Sequence, residues 1–365
     1  MVPAMVRFTP RNSIVLLAFR GKRTCGAIRF NLPRSDSEKF HSKIASHIVG
    51  TLCKLDGVDA VVVAVCTDRA FAGGRAIPHA ELAKMLNRRF EQSGFEVRES
   101  LCQASDGWAS YLDSIVPAGG HPLSEIADSP VAAAVPDDLR PSATEENPPQ
   151  RVPDADSATM KRTQKRIATY RRLMDRVKSG ELDELDELDA LPPALDPLGD
   201  LPLFAEDALR WDAAEVEANG ALLAFMLQGP PSRDLVMLQW ATSISVGDQM
   251  WNAGTPEGTV DHTNDVDLGD LMFGIGPRPD PGRIENGIKL LLTLVASLAD
   301  NERRPLLCML GWLNWALGRG SIAGRYIDEA RTIDPQYGMA EVLDTMFSNG
   351  MLPEWAFAIE SNELS

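Results

Sequence analysis

Closely spaced cysteines are missing from this sequence. The five cysteines form no Cys-x-x-Cys pair and lie far apart, at Cys25, Cys53, Cys66, Cys102 and Cys308. Structural zinc sites and disulfide frameworks both need cysteines at short, recurring spacings. The sequence therefore predicts neither kind of site, and we expect reduced, buried thiols in a cytoplasmic protein.

Long apolar runs are missing as well. The amino-terminal stretch MVPAMVRFTPRNSIVLLAFRGK contains an apolar run that is too short to span a membrane, and no small-residue cleavage site follows it. We therefore predict no membrane contact and a cytoplasmic location.

Positive charge is scarce relative to negative charge. The chain has 36 Lys and Arg residues against 52 Asp and Glu residues, and its formal net charge is -16. A negative net charge repels nucleic-acid phosphates, although a local basic face can still bind them. We therefore do not expect nucleic acid to be the main partner.

Catalytic motifs of useful specificity are also missing, so the catalytic residues stay unknown and no cofactor is predicted. The sequence leaves open whether the protein is an enzyme. A two-metal nuclease of the ribonuclease-H type needs carboxylates on its first strand, and Ser13–Phe19 has none. The remaining metal candidate is an acidic cluster that comprises Asp261, His262, Asp265, Asp267 and Asp270. It lacks the residue order of a calcium loop, so we predict a solvated loop and no metal site.

Strand and helix patterns alternate in the first part of the chain, residues 1–136. Apolar runs typical of strands lie at Ser13–Phe19, Cys25–Leu32, Ala60–Val65 and Phe95–Cys102. Apolar residues at helical spacing predict one helix over Ser37–Leu55 and a second that opens at Pro78 and ends at Gly94. The non-alternating run Ala60–Val65 is typical of a strand covered by helices on both faces. The order ββαβαβ predicts an α/β domain with a mixed sheet.

The middle of the chain changes composition. Residues 137–158 are rich in proline, acidic and small polar side chains, which predicts a disordered linker. Residues 159–200 combine a basic helix, Thr159–Lys178, with the acidic repeat ELDELDELD. Apolar residues from Met160 to Val177 predict a short heptad seam and, with it, weak self-association. The basic and acidic segments are most simply self-complementary, and the alternative is a basic face that binds a partner.

Helical periodicity continues through residues 201–365 and predicts an all-α domain. Apolar residues on either side of Gly318 predict a helical hairpin that ends at Pro335. The hairpin is tetratricopeptide-like in its spacing of Trp, Leu and Gly, but no repeat occurs at the expected period of about 34 residues. Six of the seven tryptophans lie in this half, and we expect them, including Trp312 and Trp315, to be core and helix-contact residues.

Several segments together resemble a known family. In chain order they are RFTPRNSIVLLAF, RFNLP, VVVAVCTD, SDGWASYLDSIVPAGGHPL, SPVAAAV and WLNWALGRGSIAGRYIDEARTIDPQYGMAEVL. Their order is similar to that of the actinobacterial family called domain of unknown function 4192, and the resemblance covers nearly the whole chain outside the linker and the acidic repeat. Many members share a Tyr-x-Cys and a Cys-Cys-Pro pattern, where this chain has Tyr111 and Ser114-Ile115-Val116-Pro117. The resemblance therefore implies architecture and lineage, and no thiol, metal or catalytic role.

The loop after the predicted central strand is the best candidate for a ligand site. Its candidate residues are Thr67, Asp68, Arg69, Gly73, Gly74 and Arg75. In open α/β sheets, ligands gather beyond the carboxyl ends of strands, and a glycine-containing loop before a helix offers N–H groups to an anion. The alternative is a structural loop capped by Thr67 and Asp68.

A second candidate segment contains Trp108 and Tyr111, close to a glycine turn at Gly119 and Gly120. If the last strand neighbours the central one, these aromatic side chains could line a pocket near the Asp68 loop. The alternative is that they seal the edge of the sheet.

Two functions stay open at this point. The leading hypothesis is a non-enzymatic interaction or regulatory protein with protein partners, because the second half is helical, a seam is present and no catalytic set is recognisable. The alternative is a small-ligand or phosphate-ester enzyme with its pocket at the loop after the central strand.

Overall fold

A computed structural model describes residues 10–33, 35–130, 134, 152–153, 156–179, 199–253 and 268–356. The chain divides into two compact units, Met1–Pro149 with Phe357–Ser365 and Gln150–Ala356. Most of the predicted linker and the whole acidic repeat lie outside the described residues. The domain boundaries inferred from the sequence therefore stay predictions.

A five-stranded mixed sheet forms the first unit. Its strands are β1 (Ser13–Arg20), β2 (Arg23–Asn31), β3 (Ala60–Cys66), β4 (Glu96–Gln103) and β5 (Trp108–Ser110). The strand order is β2-β1-β3-β4-β5, with β3 and β4 parallel and the other neighbours antiparallel. The predicted hairpin, central strand and mixed sheet are confirmed. Strand β5 has no counterpart in the sequence prediction, because three residues are too few to show a periodic pattern.

Two of the three helices of the first unit share one face of this sheet. These two are α1 (Glu38–Leu52) and α2 (Ala80–Gln92), and the third is the short helix α3 (Ser124–Ala127). Alternate residues of β1 and β3, such as Leu16 and Val63, form one buried cluster with α1 and α2. The expectation of helices on both faces of β3 is therefore wrong for these two helices. Val15 and Ala64 on the opposite face are buried as well. A continuous apolar run in the sequence indicates that both faces of a strand are buried, but it does not identify the elements that cover them.

Helices form the described part of the second unit, as predicted. They are α4 (Ser157–Lys178), α5 (Leu201–Ala208), α6 (Ala213–Met226), α7 (Pro230–Ala241), α8 (Ile244–Ala253), α9 (Leu268–Met272), α10 (Pro281–Ala296), α11 (Asp300–Ala316), α12 (Gly320–Ile333) and α13 (Gly338–Ser348), with a 3₁₀ turn at Glu354–Ala356. The carboxylates of Asp200, Asp212 and Asp280 cap three of them, because each accepts one or two hydrogen bonds from N–H groups of the first turn. None of the described helices is both long enough and apolar enough to cross a membrane.

Helix α11 lies at the centre of the second unit. Every residue from Pro305 to Ala316 is buried, so this stretch of the helix is enclosed on all sides. Trp312 and Trp315 are each 1% exposed. Their predicted place in the core is confirmed.

Helices α11 and α12 follow each other in the chain and pack closely together. Gly318, with φ of +75°, lies in the turn between them, where a left-handed backbone favours glycine. A Cβ atom at Gly311 would lie 2.6 Å from Cδ1 of Ile327, so glycine allows the two helices to approach closely.

The basic helix α4 uses its apolar side within its own unit. Ile167 is fully buried in the helical core, and the ring centroid of Tyr170 lies 5.8 Å from that of Phe225 in α6. Self-association through the seam from Met160 to Val177 stays a prediction, and α6 already covers part of that seam.

Candidate functional site

The loop after β3 is held by the loop after β4. The carboxylate of Asp106 accepts hydrogen bonds from the backbone N–H groups of Phe71 (2.8 Å) and Ala72 (3.1 Å). The N–H group of Ser105 donates to the carbonyl oxygen of Arg69 at 3.1 Å. Because β3 and β4 are parallel, both loops leave the sheet at the same edge, and these bonds tie them together.

Asp68 is exposed, and its polar atoms bind the segment that precedes β1. Its carboxylate lies 3.2 Å from Nε of Arg11 and accepts a hydrogen bond of 2.6 Å from Nδ2 of Asn12. The N–H group of Asp68 donates to Oδ1 of Asn12 at 3.1 Å. The residue predicted to bind a ligand therefore has two partners inside the chain.

Arg69 also has an internal partner. Its Nη2 atom donates to Oδ2 of Asp36 at 2.7 Å, and Asp36 comes just before the N-cap residue of α1. This hydrogen bond holds the pKa of Asp36 below its ordinary value. The carboxylate is therefore negative at neutral pH and fastens the loop after β3 to the start of α1.

Thr67 and His79 form a buried polar pair. Thr67 is 6% exposed, and its Oγ1 atom lies 3.1 Å from Nε2 of His79. The Nδ1 atom of His79 is buried, has no hydrogen-bond partner among the described residues and lies 4.0 Å from Oδ1 of Asp36. Burial, followed by the positive charge of Arg69, lowers the pKa of His79. The imidazole is therefore neutral at neutral pH.

His79 has a strained backbone at the entrance to α2. Its φ of +60° and ψ of +23° lie in the left-handed region, and the helix begins at Ala80, two residues later than predicted. The hydroxyl of Tyr111 donates to the carbonyl oxygen of Pro78 at 2.6 Å, and burial raises the pKa of Tyr111, so the hydroxyl keeps its proton. Non-glycine residues in left-handed conformations often lie at functional sites, where the surrounding structure enforces them.

Two further side chains of this unit carry buried nitrogen atoms without partners. Nε2 of His41, in the first turn of α1, and Nε1 of Trp108, in β5, make no hydrogen bond to any described residue. Together with Nδ1 of His79, they are the buried and unpartnered side-chain atoms of the described part of the first unit. Buried polar atoms in native proteins are nearly always paired, so each of these atoms requires an explanation.

Gly73 and Gly74 form a tight turn in the loop after β3. Gly73 has a φ of +72°, and the N–H group of Gly74 donates to the carbonyl oxygen of Phe71 at 2.9 Å. The carbonyl oxygen of Gly74 accepts a hydrogen bond of 2.8 Å from the N–H group of Gly119. Arg75 is exposed and has no side-chain partner among the described residues.

The Trp108 segment and the loop after β3 meet, as the sequence suggested they could. Trp108 stacks on His121, with ring centroids 4.7 Å apart. A Cβ atom at Gly120 would lie 2.9 Å from both the ring of Phe71 and the carbonyl oxygen of Trp108. The two segments therefore pack directly against each other, and the glycine is what allows the close approach.

The match to a family extends over both units. The model of a family described as a domain of unknown function (DUF4192) matches residues 1–255 and 276–354. The chain belongs to this family. No curated protein and no protein of solved structure matches it. DUF4192 membership confirms the resemblance found in the sequence segments and assigns no activity to any residue.

The thiols near the candidate site of this DUF4192 chain are not activated. Burial raises the pKa of Cys66 to about 12 and that of Cys102 to about 11, so both stay protonated at neutral pH. Among the residues that the structure describes, no group of three or more His, Cys, Asp or Glu side chains is arranged to hold a metal ion. Of the acidic cluster considered for metal, residues 261–267 lie outside the described residues.

The second unit of the DUF4192 chain contains a cavity that the sequence did not indicate. Its volume is about 530 Å³, and it is lined by Thr242, Ser243, Val246, Leu271, Pro277, Arg278, Asp280 and Pro281. The carboxylate of Asp280 accepts hydrogen bonds from the N–H groups of Gly282 (2.8 Å) and Arg283 (3.1 Å). Because this carboxylate serves as the cap of α10, we assign no ligand to the cavity.

Proposed function

We propose that this DUF4192 chain is a non-enzymatic interaction or regulatory protein whose partners are proteins. One observation supports the proposal above the others: two of the three charged side chains of the candidate ligand loop, those of Asp68 and Arg69, bind other parts of the fold. Asp68 pairs with Arg11 and Asn12, and Arg69 pairs with Asp36. Ligand sites present a few convergent polar groups to a concave space. A loop in which two of the three charged side chains are already paired is better suited to hold segments of the fold together.

The second unit supplies the scaffold in this proposal. We take α11 and α12 to be a tetratricopeptide-like hairpin, an interpretation supported by the close helix approach at Gly311. Because α11 is enclosed from Pro305 to Ala316, it cannot line a peptide groove. Partner contacts therefore fall to the outer helices.

The proposed location is the cytoplasm. Cys66, Cys102 and Cys308 are free and buried thiols. Such thiols are usual where the compartment keeps cysteines reduced.

Affinity capture with the full-length chain as bait, followed by mass spectrometry, tests the interaction proposal. The matched bait is Asp68→Ala, which alters the exposed loop and leaves the core unchanged. We expect both baits to retain the same proteins, because the loop is not the partner surface. A wild-type bait that retains nothing beyond an unrelated bait contradicts the proposal.

A small-ligand or phosphate-ester enzyme is the second candidate, and the pair of Thr67 and His79 favours it. Neutral His79 is able to accept the hydroxyl proton of Thr67 at Nε2, and Asp36 lies on the Nδ1 side of the ring. This candidate therefore centres on His79 instead of Asp68 and Trp108.

A thermal-shift screen of nucleotides and phosphorylated metabolites separates the two candidates. The interaction proposal expects no change in the melting temperature of the wild-type chain. A shift that persists in Asp68→Ala and disappears in His79→Ala supports the enzyme instead.

A further inference from the structure

Helix α4 is strongly basic in an acidic protein. Its 22 residues include eight Lys or Arg side chains and one carboxylate, Asp175, whereas the whole chain has a net charge of -16. A local field of the opposite sign can therefore act on a partner that approaches this helix.

The apolar side of α4 and its flanks are used within the second unit. Ile167 is buried in the core. Arg162 lies 3.5 Å from the carboxylate of Glu217, and Arg171 lies 3.2 Å from that of Glu302. These contacts fix the rotation of the helix, and with it the side that faces away from the core.

The outward side of α4 is a line of cations, which we call the basic stripe. It consists of Lys161, Lys165, Arg172 and Arg176. Steps of four, seven and four residues correspond to one or two helical turns, so the four side chains project on one side over about 22 Å. All four residues are exposed.

Three cations of the stripe have no carboxylate partner among the residues that the structure describes. Lys161 and Lys165 have no side-chain partner among the described residues. Arg172 donates to the carbonyl oxygen of Ala168 at 3.2 Å and to Oγ1 of Thr169 at 3.3 Å, and both acceptors are uncharged groups of α4 itself.

We infer that the basic stripe binds an acidic segment of a partner protein. This inference rests on the proposed interaction function and adds the surface and the chemistry of the partner. A membrane is a poorer fit, because interfacial helices bury an apolar face in the lipid, whereas Ile167 and Tyr170 on the apolar side of α4 already pack against protein. A nucleic acid is also a poorer fit, since its phosphates would extend beyond the stripe over a surface that is negative overall. A length of about 22 Å suits an extended segment of about seven residues or a helix of about fifteen.

Fluorescence anisotropy of a labelled peptide with the sequence ELDELDELD, titrated with the full-length chain, tests the inference. The stripe variant is Lys161→Glu/Lys165→Glu/Arg172→Glu. The control, Lys39→Glu/Lys84→Glu/Arg88→Glu, makes the same charge change at three exposed positions of α1 and α2. We expect the wild type and the control to bind the peptide and the stripe variant to bind about tenfold more weakly or worse. We also expect affinity to fall as salt is added, because exposed charges are screened.

The same titration is run on a chain in which the six carboxylates of residues 181–189 are replaced by amides. Peptide binding that appears only in this chain means that the acidic repeat of the same chain occupies the stripe, which overturns the assignment to a partner. Absence of binding in both chains, or equal binding by the stripe variant and the control, also overturns it.

A short DNA duplex and vesicles of phosphatidylserine with phosphatidylcholine serve as competing probes. Stripe-dependent binding of either one, tighter than that of the peptide, overturns the assignment to an acidic protein segment. A stripe variant that captures the same proteins as the wild type rejects this surface and leaves the interaction function standing.

Discussion

The tryptophans of the two units differ in how their indole N–H groups are satisfied. In the second unit, four buried tryptophans each donate to a backbone carbonyl oxygen: Trp240 to Ala205, Trp312 to Met272, Trp315 to Met351 and Trp355 to Ala316. In the first unit, Nε1 of Trp108 is buried and has no partner among the described residues. Each bond of the first set joins a helix to another helix or to the segment after α13, whereas the indole N–H of Trp108 bonds to no described residue.

Other unpaired polar atoms follow the same division, with His79 as the exception. In the second unit, buried atoms without partners belong to side chains that make a hydrogen bond through another atom, as Gln239 and Asn314 do. In the first unit, the unpaired atoms are ring nitrogens of His41, His79 and Trp108; His79 also bonds Thr67 through Nε2, whereas His41 and Trp108 make no side-chain hydrogen bond to any described residue. A polar atom without a partner costs stability. The buried polar side chains of the second unit therefore hold its helices together, whereas the first unit keeps buried ring nitrogens without partners among the described residues.

Trp312→Ala tests how much a buried tryptophan stabilises the second unit, and it should have the largest effect. Removing a fully buried indole leaves a cavity and also leaves the carbonyl oxygen of Met272 without its donor, so we expect a loss of about 3 to 5 kcal/mol in unfolding free energy. Hydrogen exchange with mass spectrometry on the full-length chain should show the loss in the helices of the second unit. Val342→Ala is the control, because Val342 is 53% exposed; its cost should stay within about 0.5 kcal/mol. Equal protection in the two variants would refute the assigned role of Trp312.

Local patterns were sufficient for most of the fold. The β1–β2 hairpin, the central strand β3 and helix α11 were predicted because each has a local apolar pattern, which is a continuous run in β3 and a helical spacing in α11. Burial of Trp312 followed from the same reasoning. The covering of β3 was predicted incorrectly for α1 and α2, since a continuous apolar run fixes neither the position nor the identity of the covering elements.

The candidate site was only partly predictable. Thr67 and Asp68 were selected because they follow a buried strand, a position that the sequence reveals. The site residues Asp36, His41 and His79 were missed, because each stands alone in the sequence with no motif around it. The burial of His79, its left-handed backbone and its contact with Thr67 arise from segments that only the fold brings together.

Asp106→Ala tests the connection between the two loops of the first unit and should have the next largest effect. The carboxylate accepts hydrogen bonds from the N–H groups of Phe71 and Ala72. Its removal should therefore lower the unfolding free energy by about 1 to 3 kcal/mol and speed amide exchange in the loop after β3. Asp113→Ala is a matched control at an exposed carboxylate that accepts no hydrogen bond from the loop. Unchanged exchange at residues 70–75 in the Asp106 variant would show that the loop is held by its other contacts.

Mild acid should sharpen the comparison, with the smallest effect of the three. The pKa of His79 is lowered in the folded chain by burial and then by Arg69, with His41 acting in the same direction and Asp36 in the opposite one. The unfolded chain therefore binds more protons than the folded chain below about pH 6.5. The contribution of neutral His79 is complete above that pH and is lost as the pH falls toward the lowered value. In the second unit, Arg283 lowers the pKa of Glu206 from an ordinary value of 4.5, so that contribution persists until the pH falls below about 4.5.

Between about pH 6.5 and about pH 4.5, only the first of these two contributions changes. We therefore expect hydrogen exchange, corrected for intrinsic rates, to lose protection in α1 and α2 over this range while α10 and α11 stay protected. His79→Asn is the informative variant, because asparagine tolerates the left-handed backbone and does not titrate. The pH dependence of the first unit should shrink in this variant, and the remainder should reflect His47, whose pKa is also lowered by burial. A variant that keeps the full acid response would show that His79 is not the group that makes the first unit acid-sensitive.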